Sequence, residues 1–391
     1  MPNIVPEVET FARIKVLGVG GSGKNALNHM VNCKVRGVEF IAVNTDAQDL
    51  HHTLAKKKIH IGKNLTKGLG TGMNPDLGRR AVEETKEELQ ESVKGADMIF
   101  VAGGLGGGTC SGAAPAVAKT SKELGALTVA VVTKPFFFEG AQRMRIAEQA
   151  LDALKKEVDA IIIIPNDRLL SNIDRNTTAK SAFAMCDEVL KQAVEGISDL
   201  ITTPGIINID FADIRAVMEN AGSALMGIGV GSGEKRAEDA AKLAINSPLL
   251  DISIAGAKGV LFSIAGGDDL TMFEIQDAAK VITESIDPNA KVIFGTVRDE
   301  KLKKGEVKVT VIASGFGDSI SHAAKKSLFS SEPKDEVVKG KLFSSDKPKE
   351  KEAKEEKPEP KPLAEDKKSI PVIDADDDWG AVPAFLRRNK K

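Results

Sequence analysis

The chain has 391 residues, enough for two ordinary domains and an additional segment. Its 54 basic and 56 acidic side chains give a net charge of -2, and it has one Trp and no Tyr, so neither charge nor aromatic stacking favours nucleic acid as a partner. The three cysteines are far apart in the sequence and form no C-x-x-C pair, which argues against a disulfide framework or a zinc site. The sequence shows no export signal and no run of about 18 apolar residues, so we expect a cytoplasmic protein without a transmembrane segment.

Five short apolar runs follow an N-terminal extension, residues 1–12, and alternate with amphipathic stretches: RIKVLGVG, EFIAVN, DMIFVAGG, LTVAVVTKP and AIIIIPND. This alternation predicts parallel βαβ units over residues 13–176, with helices covering both faces of the sheet. Ligands of such sheets bind beyond the carboxyl ends of the strands. Four of these ends read GVGGSGKN, NTD, AGGLGGGTCSG and TKPFFFEG, so small and polar residues cluster where a ligand would lie.

The second half of the chain begins with one long amphipathic helix, predicted over residues 177–203. The helix is expected to end at the sequence TTPG, because Pro and Gly do not continue a helix. Residues 204–318 mix helical runs with the strand-like runs SALMGIGV, KGVLFSIAGG, KVIFGTV and VKVTVIASG, which predicts an α+β domain. Residues 319–370 are predicted to form a disordered linker, because their apolar periodicity disappears and residues 332–368 carry eleven acidic and eleven lysine residues with scattered Pro. The composition turns apolar again in residues 371–391, and this short amphipathic end is typical of a docking peptide.

Two glycine-rich segments at strand ends are candidate phosphate loops. The first, GVGGSGKN, nearly satisfies the pattern G-x-x-x-x-G-K-[ST], but Asn25 stands where the Mg²⁺-binding hydroxyl should be. The same segment also contains G-x-G-x-x-G, and Asp46 lies near the position of a ribose-binding acid, so an NAD(P)-dependent Rossmann oxidoreductase is an alternative. The second segment, GGLGGGTCSG, places six glycines before a helix, where backbone N–H groups and the helix dipole attract an anion. Two such loops suit a triphosphate.

The second loop resembles the G-G-G-T-G-S-G signature of the tubulin/FtsZ family, with Cys110 in place of the central Gly. Six further segments resemble this family in order and spacing: NTDAQDL, LTKGLGTGMNPDLGRRAVEE, VVTKPFFFEGAQR, IIPNDRLL, NIDFADIR and VPAFLRR. The resemblance implies an α/β fold, with a Rossmann-like GTPase domain built on a parallel sheet, a long central helix and a second α+β domain. It also implies binding of GTP or GDP with Mg²⁺, and a monovalent cation is a further candidate. Because Cys does not reach positive φ cheaply, the loop at Cys110 is expected either to differ in geometry or not to need that conformation.

The resemblance implies roles for individual residues of the nucleotide site. The glycine loops would cradle the phosphates, Glu139 and Arg143 would contact the ribose and nucleotide, and Asn166 with Asp187 would read the base. A carboxylate accepts hydrogen bonds from guanine N1–H and N2–H₂, whereas adenine presents an acceptor and a C–H there, so Asp187 would select GTP over ATP. A solvated helix carboxylate is the alternative interpretation of Asp187. The residues expected to bind nucleotide are Gly20, Gly21, Ser22, Lys24, Asn25, Asn44, Asp46, Gly70, Gly72, Asn74, Gly104, Gly106, Gly107, Gly108, Thr109, Gly112, Pro135, Glu139, Arg143, Asn166, Phe183 and Asp187.

The candidate catalytic residues, Asn208, Asp210 and Asp213, follow the long helix, whereas the phosphate loops precede it. If the helix spans the domain, as the resemblance implies, these residues reach the γ-phosphate of the next subunit and not their own. The chain would then polymerise head to tail, hydrolyse GTP at each subunit interface and form a cytokinetic ring at the mid-cell division site on the inner face of the membrane. Two alternatives stay open: Asp210 as a helix N-cap, and a regulator or scaffold of the same family that binds GTP without polymerising.

The C-terminal PAFLRR resembles the partner-binding peptide of the family. This resemblance implies indirect membrane attachment through membrane-tethering or division proteins. The residues expected to contact such partners are Pro383, Phe385, Leu386, Arg387 and Arg388.

Two other segments carry no assigned site. The histidines His51, His52 and His60 have no carboxylate or cysteine at ligand spacing, so no metal-ligating side chain is expected, and KKKIHIGK is interpreted as a polar loop or surface. The three aromatic residues of PFFF fit either an exposed contact patch or the core, and the sequence leaves both open.

Overall fold

The computed structural model of the chain describes residues 12–170, 177–203, 205–247, 253–267, 269–299 and 302–316. The first eleven residues of the N-terminal extension, the predicted linker and the predicted docking peptide with its Phe385 and Leu386 lie outside the described residues. Within the described ranges, no helix combines the length and the apolar character needed to cross a membrane.

Ten strands of the described residues form one sheet in the order β3-β2-β1-β4-β5-β6-β7-β10-β8-β9. Strands β1 to β7 run parallel, β10 is antiparallel to both of its neighbours, and β9 runs parallel to β8. The strands are β1 (Ile14–Val19), β2 (Val38–Asn44), β3 (Lys57–His60), β4 (Met98–Gly104), β5 (Leu127–Lys134), β6 (Ala160–Pro165), β7 (Gly222–Ser232), β8 (Gly259–Gly266), β9 (Lys291–Arg298) and β10 (Glu306–Ser314).

Helices connect most of the parallel strands, as the alternating pattern of the sequence predicts. A short 3-10 helix, Phe137–Glu139, precedes the seventh α-helix. The α-helices are α1 (Gly20–Asn32), α2 (Ala47–His51), α3 (Lys63–Thr66), α4 (Pro75–Glu84), α5 (Lys86–Val93), α6 (Gly108–Glu123), α7 (Ala141–Leu154), α8 (Asn166–Leu170), α9 (Ala179–Thr202), α10 (Phe211–Met218), α11 (Arg236–Ile245) and α12 (Met272–Thr283).

The strand order creates a crevice between β1 and β4. These strands are neighbours in register, with Leu17 opposite Val101, although β2 and β3 intervene in the sequence. The direction in which successive strands are added therefore reverses between β1 and β4. Ligands of open α/β sheets bind at such a reversal, outside the carboxyl ends of the strands. Both glycine-rich segments follow these two strands directly.

The core lies on both faces of the sheet. Alternate side chains of a strand point to opposite faces, and in β1 Val16 packs in one buried cluster while Leu17 packs in another. Ala193 of α9 belongs to the cluster of Val16, and Val117 of α6 belongs to the cluster of Leu17. Helices α6 and α9 therefore cover opposite faces. Each fully buried Val or Leu of this core contributes roughly 1.5–3 kcal/mol to stability.

The predicted α/β fold with its long central helix is confirmed. Helix α9 has 24 residues and begins after Thr178, whose hydroxyl accepts a hydrogen bond from the Ser181 N–H. The strand-like runs of the second half form β7 to β10, and β7 joins them to β6, so the two parts share one sheet.

The loop interpretation of KKKIHIGK was wrong for part of the segment, because Lys57–His60 form strand β3 at the edge of the sheet, whereas the surface interpretation fits the exposed face of this strand. A lysine-rich edge strand has one exposed face, and only Ile59 supplies the fully buried apolar side chain of this strand. The alternation is too short to be recognised in the sequence.

Candidate nucleotide-binding site

A cavity of about 400 Å³ opens at the carboxyl ends of β1, β4 and β5, beside helix α9. The first and fourth strands supply the glycine loops, the fifth supplies the loop around Pro135, and α9 closes the opposite side. The cavity is lined by Gly20, Gly21, Ser22, Asn25, Thr71, Gly104, Leu105, Gly107, Gly108, Thr109, Cys110, Thr133, Pro135, Glu139, Arg143, Asn166, Phe183, Cys186, Asp187 and Leu190.

The first glycine loop turns directly from β1 into α1. Gly20 has a φ of +73°, a conformation that glycine adopts without strain, and a Cβ atom there would lie 3.3 Å from the backbone nitrogen of Cys110. Ser22 joins this loop to the second one, because its hydroxyl accepts a hydrogen bond of 2.6 Å from the Gly104 N–H. The two loops therefore form one continuous wall.

The second glycine loop joins β4 to α6 and is fixed by hydrogen bonds from within the fold. The Gly106 N–H donates to the Ser111 hydroxyl over 2.9 Å. The Thr109 hydroxyl lies 2.8 Å from that of Thr45 and 3.2 Å from that of Thr71. A Cβ atom on Gly107 would meet no atom within 4 Å, so the backbone at this residue faces open space in the cavity.

Helices α1 and α6 both begin at this wall, and no side chain caps either N-terminus. The first N–H groups of a helix lack partners inside the helix, so an uncapped N-terminus offers donors and a positive dipole end to an anion. Side chains cap α2, α4, α9, α10 and α12, whereas α3, α5, α7 and α11 also lack a side-chain cap, so the distinguishing feature of α1 and α6 is that both begin at one cavity. The two uncapped N-termini at one cavity fit the phosphates of a nucleotide.

Cys110 occupies a helical position in the first turn of α6 and is not among the residues with positive φ. Its side chain is buried, and burial raises the pKa of the thiol to about 12. The second of the two expectations for this residue therefore holds, because the position does not need the conformation that glycine permits.

Glu139 and Arg143 form the third side of the cavity. The Arg143 guanidinium donates to one Glu139 carboxylate oxygen over 2.8 Å, and the other oxygen accepts from the Phe136 N–H over 3.0 Å. The carboxylate is thereby fixed at the start of α7. Phe136 is buried, whereas Phe137 and Phe138 are exposed, so the PFFF segment divides between core and surface.

Helix α9 supplies the far side of the cavity through residues spaced three or four apart, Phe183, Asp187 and Leu190. Burial raises the pKa of Asp187 to about 6, although the positive charges of His29 and Lys24 oppose this shift. Asn166, at the end of β6, is 5% exposed, and its Oδ1 atom has no hydrogen-bond partner in the described part of the chain. Buried acceptors without partners carry a free-energy cost that a ligand with N–H donors would remove.

Eight residues expected at the site do not line the cavity, and four of them have clear roles in its support. Lys24 forms an ion pair of 2.7 Å with Asp49, and Asn44 donates to the same carboxylate over 2.8 Å. Asp46 and Asn74 cap helices α2 and α4. The other four are glycines: Gly70, Gly72 and Gly106 lie in the surrounding loops, and Gly112 is a buried residue of α6.

Six lining residues were not among those expected from the sequence. Cys186 and Leu190 lie on the face of α9 that carries Asp187, so the helical spacing of this helix contains the signal that would find them. Thr71 lies between Gly70 and Gly72, in a segment that the resemblance already covers, whereas Thr133 is near the end of β5 and no local pattern marks it. The full set is Thr71, Leu105, Cys110, Thr133, Cys186 and Leu190.

The candidate catalytic residues lie in a different place. Asn208, Asp210 and Asp213 are exposed, and none of them lines the cavity. From Asp187 to Thr202, where α9 ends, the helix rises about 22 Å, and all three residues follow that end.

Hydrogen bonds fix the segment that carries the three residues. Asp210 accepts from the Asp213 N–H over 2.8 Å and caps α10, as one alternative interpretation of the sequence has it, and Asn208 accepts from the Gly205 N–H over 2.7 Å. The backbone of the segment is fixed to β9 by hydrogen bonds in both directions between Ile207 and Thr296.

Two family models match this chain. Residues 13–174 match the Tubulin/FtsZ family, GTPase domain, and residues 222–317 match the FtsZ family, C-terminal domain. A solved FtsZ dimer from M. jannaschii is 46% identical, with a TM-score of 0.76, over 79% of this chain and 90% of that chain. The chain belongs to the FtsZ family. Its GTPase domain implies binding of GTP or GDP and GTP hydrolysis as a family trait, and cell division follows from the homology to FtsZ.

Other solved structures agree with this assignment to the FtsZ family. A point mutant of M. jannaschii FtsZ is also 46% identical, with a TM-score of 0.75, over 78% of this chain and 92% of that chain. CetZ2 from Haloferax volcanii, solved as a GTPγS-bound protofilament, shares the fold at 21% identity, with a TM-score of 0.66, over 81% of this chain and 98% of that chain. The FtsZ assignment leaves the oxidoreductase alternative without support.

Proposed function

We propose that this FtsZ-family chain polymerises head to tail into protofilaments and hydrolyses GTP at the interface between successive subunits. The observation that supports the proposal is the separation of two half-sites. One half is a cavity with two uncapped helix N-termini, and the other is an exposed acidic segment beyond the end of α9. In a cell, such filaments would form a cytokinetic ring at the mid-cell division site, on the inner face of the membrane.

The cavity suits a guanine nucleotide in three respects. Backbone amides at Gly20, Gly21 and Gly108 would bind phosphate oxygens. The Asp187 carboxylate would accept from guanine N1–H and N2–H₂, and adenine has no equivalent pair of donors. Asn166 has a buried acceptor without a partner, which a base with N–H donors would satisfy.

Neither glycine loop carries a carboxylate, so the loops fit a Mg²⁺ ion that is held mainly by phosphate oxygens and water. The Asn25 amide oxygen is the neutral donor that the first loop places on the cavity wall. The ion would neutralise charge that develops on the transferred phosphoryl group. A monovalent cation stays a further candidate.

The next subunit would complete the site. Asp210 and Asp213 would polarise and position the attacking water, and Asn208 would orient it, while the loop amides of the first subunit stabilise the transition-state charge. The Asp210 carboxylate is already oriented by the N-cap hydrogen bond to Asp213, so capping and catalysis are compatible in one side chain.

Exposed apolar side chains lie beside both half-sites. On the side of the cavity, Leu69 is 84% exposed and lies two residues before the lining residue Thr71, and Phe137 is 78% exposed and begins the 3-10 helix that contains the lining residue Glu139. Ile206, which is 72% exposed, lies two residues before Asn208. Exposed apolar groups of this size favour a protein contact. Because the two surfaces differ, the contact between them would be head to tail, and a head-to-tail contact that does not close into a ring generates a filament.

Attachment to the membrane would be indirect, through division or tethering proteins that bind the C-terminal PAFLRR sequence. Phe385 and Leu386 would give the apolar anchor, and Arg387 with Arg388 the electrostatic one. No part of this proposal requires a helix that crosses the membrane.

The test is GTP hydrolysis per molecule, measured over a range of concentrations of the full chain with Mg²⁺ present. We expect the rate per molecule to rise steeply above a threshold concentration, and sedimentation with GTP to give a pellet above the same threshold. Asp213→Ala should bind GTP normally and hydrolyse it at least 100-fold more slowly, because it removes a group needed only in the transition state. A rate per molecule that does not change on dilution would contradict the shared site, and GTP binding without any pellet would favour the scaffold alternative.

A further inference from the structure

His29, Cys33 and Glu188 meet at the contact between α1 and α9, outside the lining of the nucleotide cavity. The His29 Nε2 atom lies 2.7 Å from a Glu188 carboxylate oxygen and 3.8 Å from the Cys33 sulfur. All three ligand atoms lie within 4.8 Å of one another, and all three residues are partly exposed. The cluster is therefore both compact and accessible from solvent.

These three side chains are a ligand set of nitrogen, sulfur and oxygen. His29 and Cys33 are four residues apart, so they lie on the same face of the last turn of α1, where the Cys33 N–H still donates to the His29 carbonyl over 2.9 Å. A tetrahedral Zn²⁺ ion keeps ligand atoms about 3.3–3.8 Å apart, given bond lengths of about 2.0–2.3 Å. The sulfur already has this spacing from Nε2, and the imidazole and carboxylate would separate by about 0.6 Å to admit the ion.

The Glu188 carboxylate is held in the orientation that a ligand needs. Its second oxygen accepts hydrogen bonds from Lys191 over 2.8 Å and from Gln192 over 2.9 Å. Neighbours on α9 therefore fix one carboxylate oxygen, and the other oxygen faces His29 on α1. Carboxylates that bind metals are commonly oriented in this way by hydrogen bonds from residues behind them.

We propose that His29, Cys33 and Glu188 bind one divalent transition-metal ion, with water in the fourth position. Zn²⁺ is the best match, because imidazole, thiolate and carboxylate are its usual protein ligands. Mg²⁺ and Ca²⁺ prefer an all-oxygen set and do not fit.

The site would connect two elements of the nucleotide cavity. Helix α1 contributes Gly20 and Gly21 to the phosphate wall, and α9 contributes Asp187, the residue before Glu188. A bound metal would cross-link the two helices behind the cavity and restrict their relative motion. This inference goes beyond the proposed GTPase, since a metal-free chain keeps the whole nucleotide cavity.

The experiment uses the full chain, stripped of transition metals and saturated with GDP and Mg²⁺. Zn²⁺ is titrated in competition with a chromophoric chelator, and we expect one ion per chain with a dissociation constant in the micromolar range or below. His29→Gln and Cys33→Ser should each weaken this binding at least tenfold. The double variant His51→Gln/His52→Gln removes two histidines from another surface and should bind Zn²⁺ as the unmodified chain does.

Co²⁺ provides a second readout that is specific for sulfur. The Co²⁺-loaded chain should show thiolate-to-metal charge-transfer absorption that Cys33→Ser abolishes and the control variant His51→Gln/His52→Gln retains. Thermal unfolding of the metal-free variants controls for misfolding, and His29→Gln keeps a hydrogen-bond donor toward Glu188. Zn²⁺ affinity that Cys33→Ser leaves unchanged, or a Co²⁺ spectrum without thiolate absorption, would overturn the site. Either outcome would leave GTP binding and hydrolysis, measured without the metal, untouched.

Discussion

Asp187 lines the nucleotide cavity, and the helix that carries it, α9, packs against the core. Replacing it by Asn should weaken GTP binding roughly 100-fold, since two hydrogen bonds to a charged acceptor are lost and the new amide N–H₂ faces guanine N2–H₂. The same variant should bind xanthosine triphosphate better than the unmodified chain, because xanthine has a carbonyl at that position that accepts from Asn.

Competition between labelled GDP and the two triphosphates measures this change of preference. Asp152→Asn, at an exposed position of α7, is the matched control and should leave both affinities unchanged. If Asp187→Asn weakened both nucleotides equally, the carboxylate would support the fold and would not read the base.

Substitutions of Cys110 test the backbone conformation at the start of α6, in the second glycine loop. Because the residue is helical and buried, Cys110→Gly should destabilise the chain more than Cys110→Ala, by about 1 kcal/mol, which is the usual difference between the two residues in a helix. Urea denaturation with GDP bound measures the difference. Greater stability of the Gly variant would instead show that the loop gains from positive φ at this position.

At the scale of elements, α11 and α12 are joined by a charged cluster. The Arg236 guanidinium is 7% exposed and contacts both Glu274 and Asp269, the latter over 2.7 Å. The hydrogen bond from Arg236 lowers the pKa of Glu274 from 4.5 to about 2. A depressed carboxyl pKa adds stability that is complete above the unfolded value near 4.5 and is lost as the pH falls through about 2.

Glu274→Gln should therefore lower the free energy of unfolding by about 2 kcal/mol at pH 7, and the difference from the unmodified chain should shrink steadily between pH 5 and pH 2. Denaturation midpoints across this range measure the effect. Glu284→Gln, whose carboxylate is exposed at the end of the same helix, should show no such pH dependence. A constant difference at every pH would mean that packing, and not ionisation, accounts for the loss.

Some elements of the fold were predictable from their sequences and others were not. A sustained apolar period made three features predictable: the βαβ units, the long helix and the strands of the second half. Strand β3 was not predictable, since it has four residues and one fully buried apolar side chain. The glycine loops were predictable from local composition, whereas Thr45 and Thr71 reach Thr109 from distant loops, and no spacing in the sequence encodes that meeting.

At the scale of the whole molecule, the function that we propose depends on the position of α9 between the nucleotide cavity and the acidic segment. One continuous sheet joins the two halves of the chain, and α9 lies against it with Asp187 at the cavity and Asn208 beyond its far end. In the proposed mechanism, a connection of this length keeps the two half-sites of one subunit apart. Association would then complete the active site, and the rate of hydrolysis would depend on the contact between subunits.

Mixing two inactive variants tests that statement directly. Asp213→Ala keeps the nucleotide cavity and lacks the acidic half-site, whereas Asp187→Ala keeps the acidic half-site and does not hold GTP. In a 1:1 mixture about one quarter of random head-to-tail contacts place an intact cavity against an intact acidic segment, so we expect about one quarter of the normal GTPase rate. A mixture of Asp213→Ala with Asp210→Ala is the control, since both changes damage the same half-site and no contact can be complete. Because each variant alone should keep only about 1% of the normal rate, a rate near one quarter of normal can arise only between subunits. A mixture as slow as its components would place the catalytic groups within one chain.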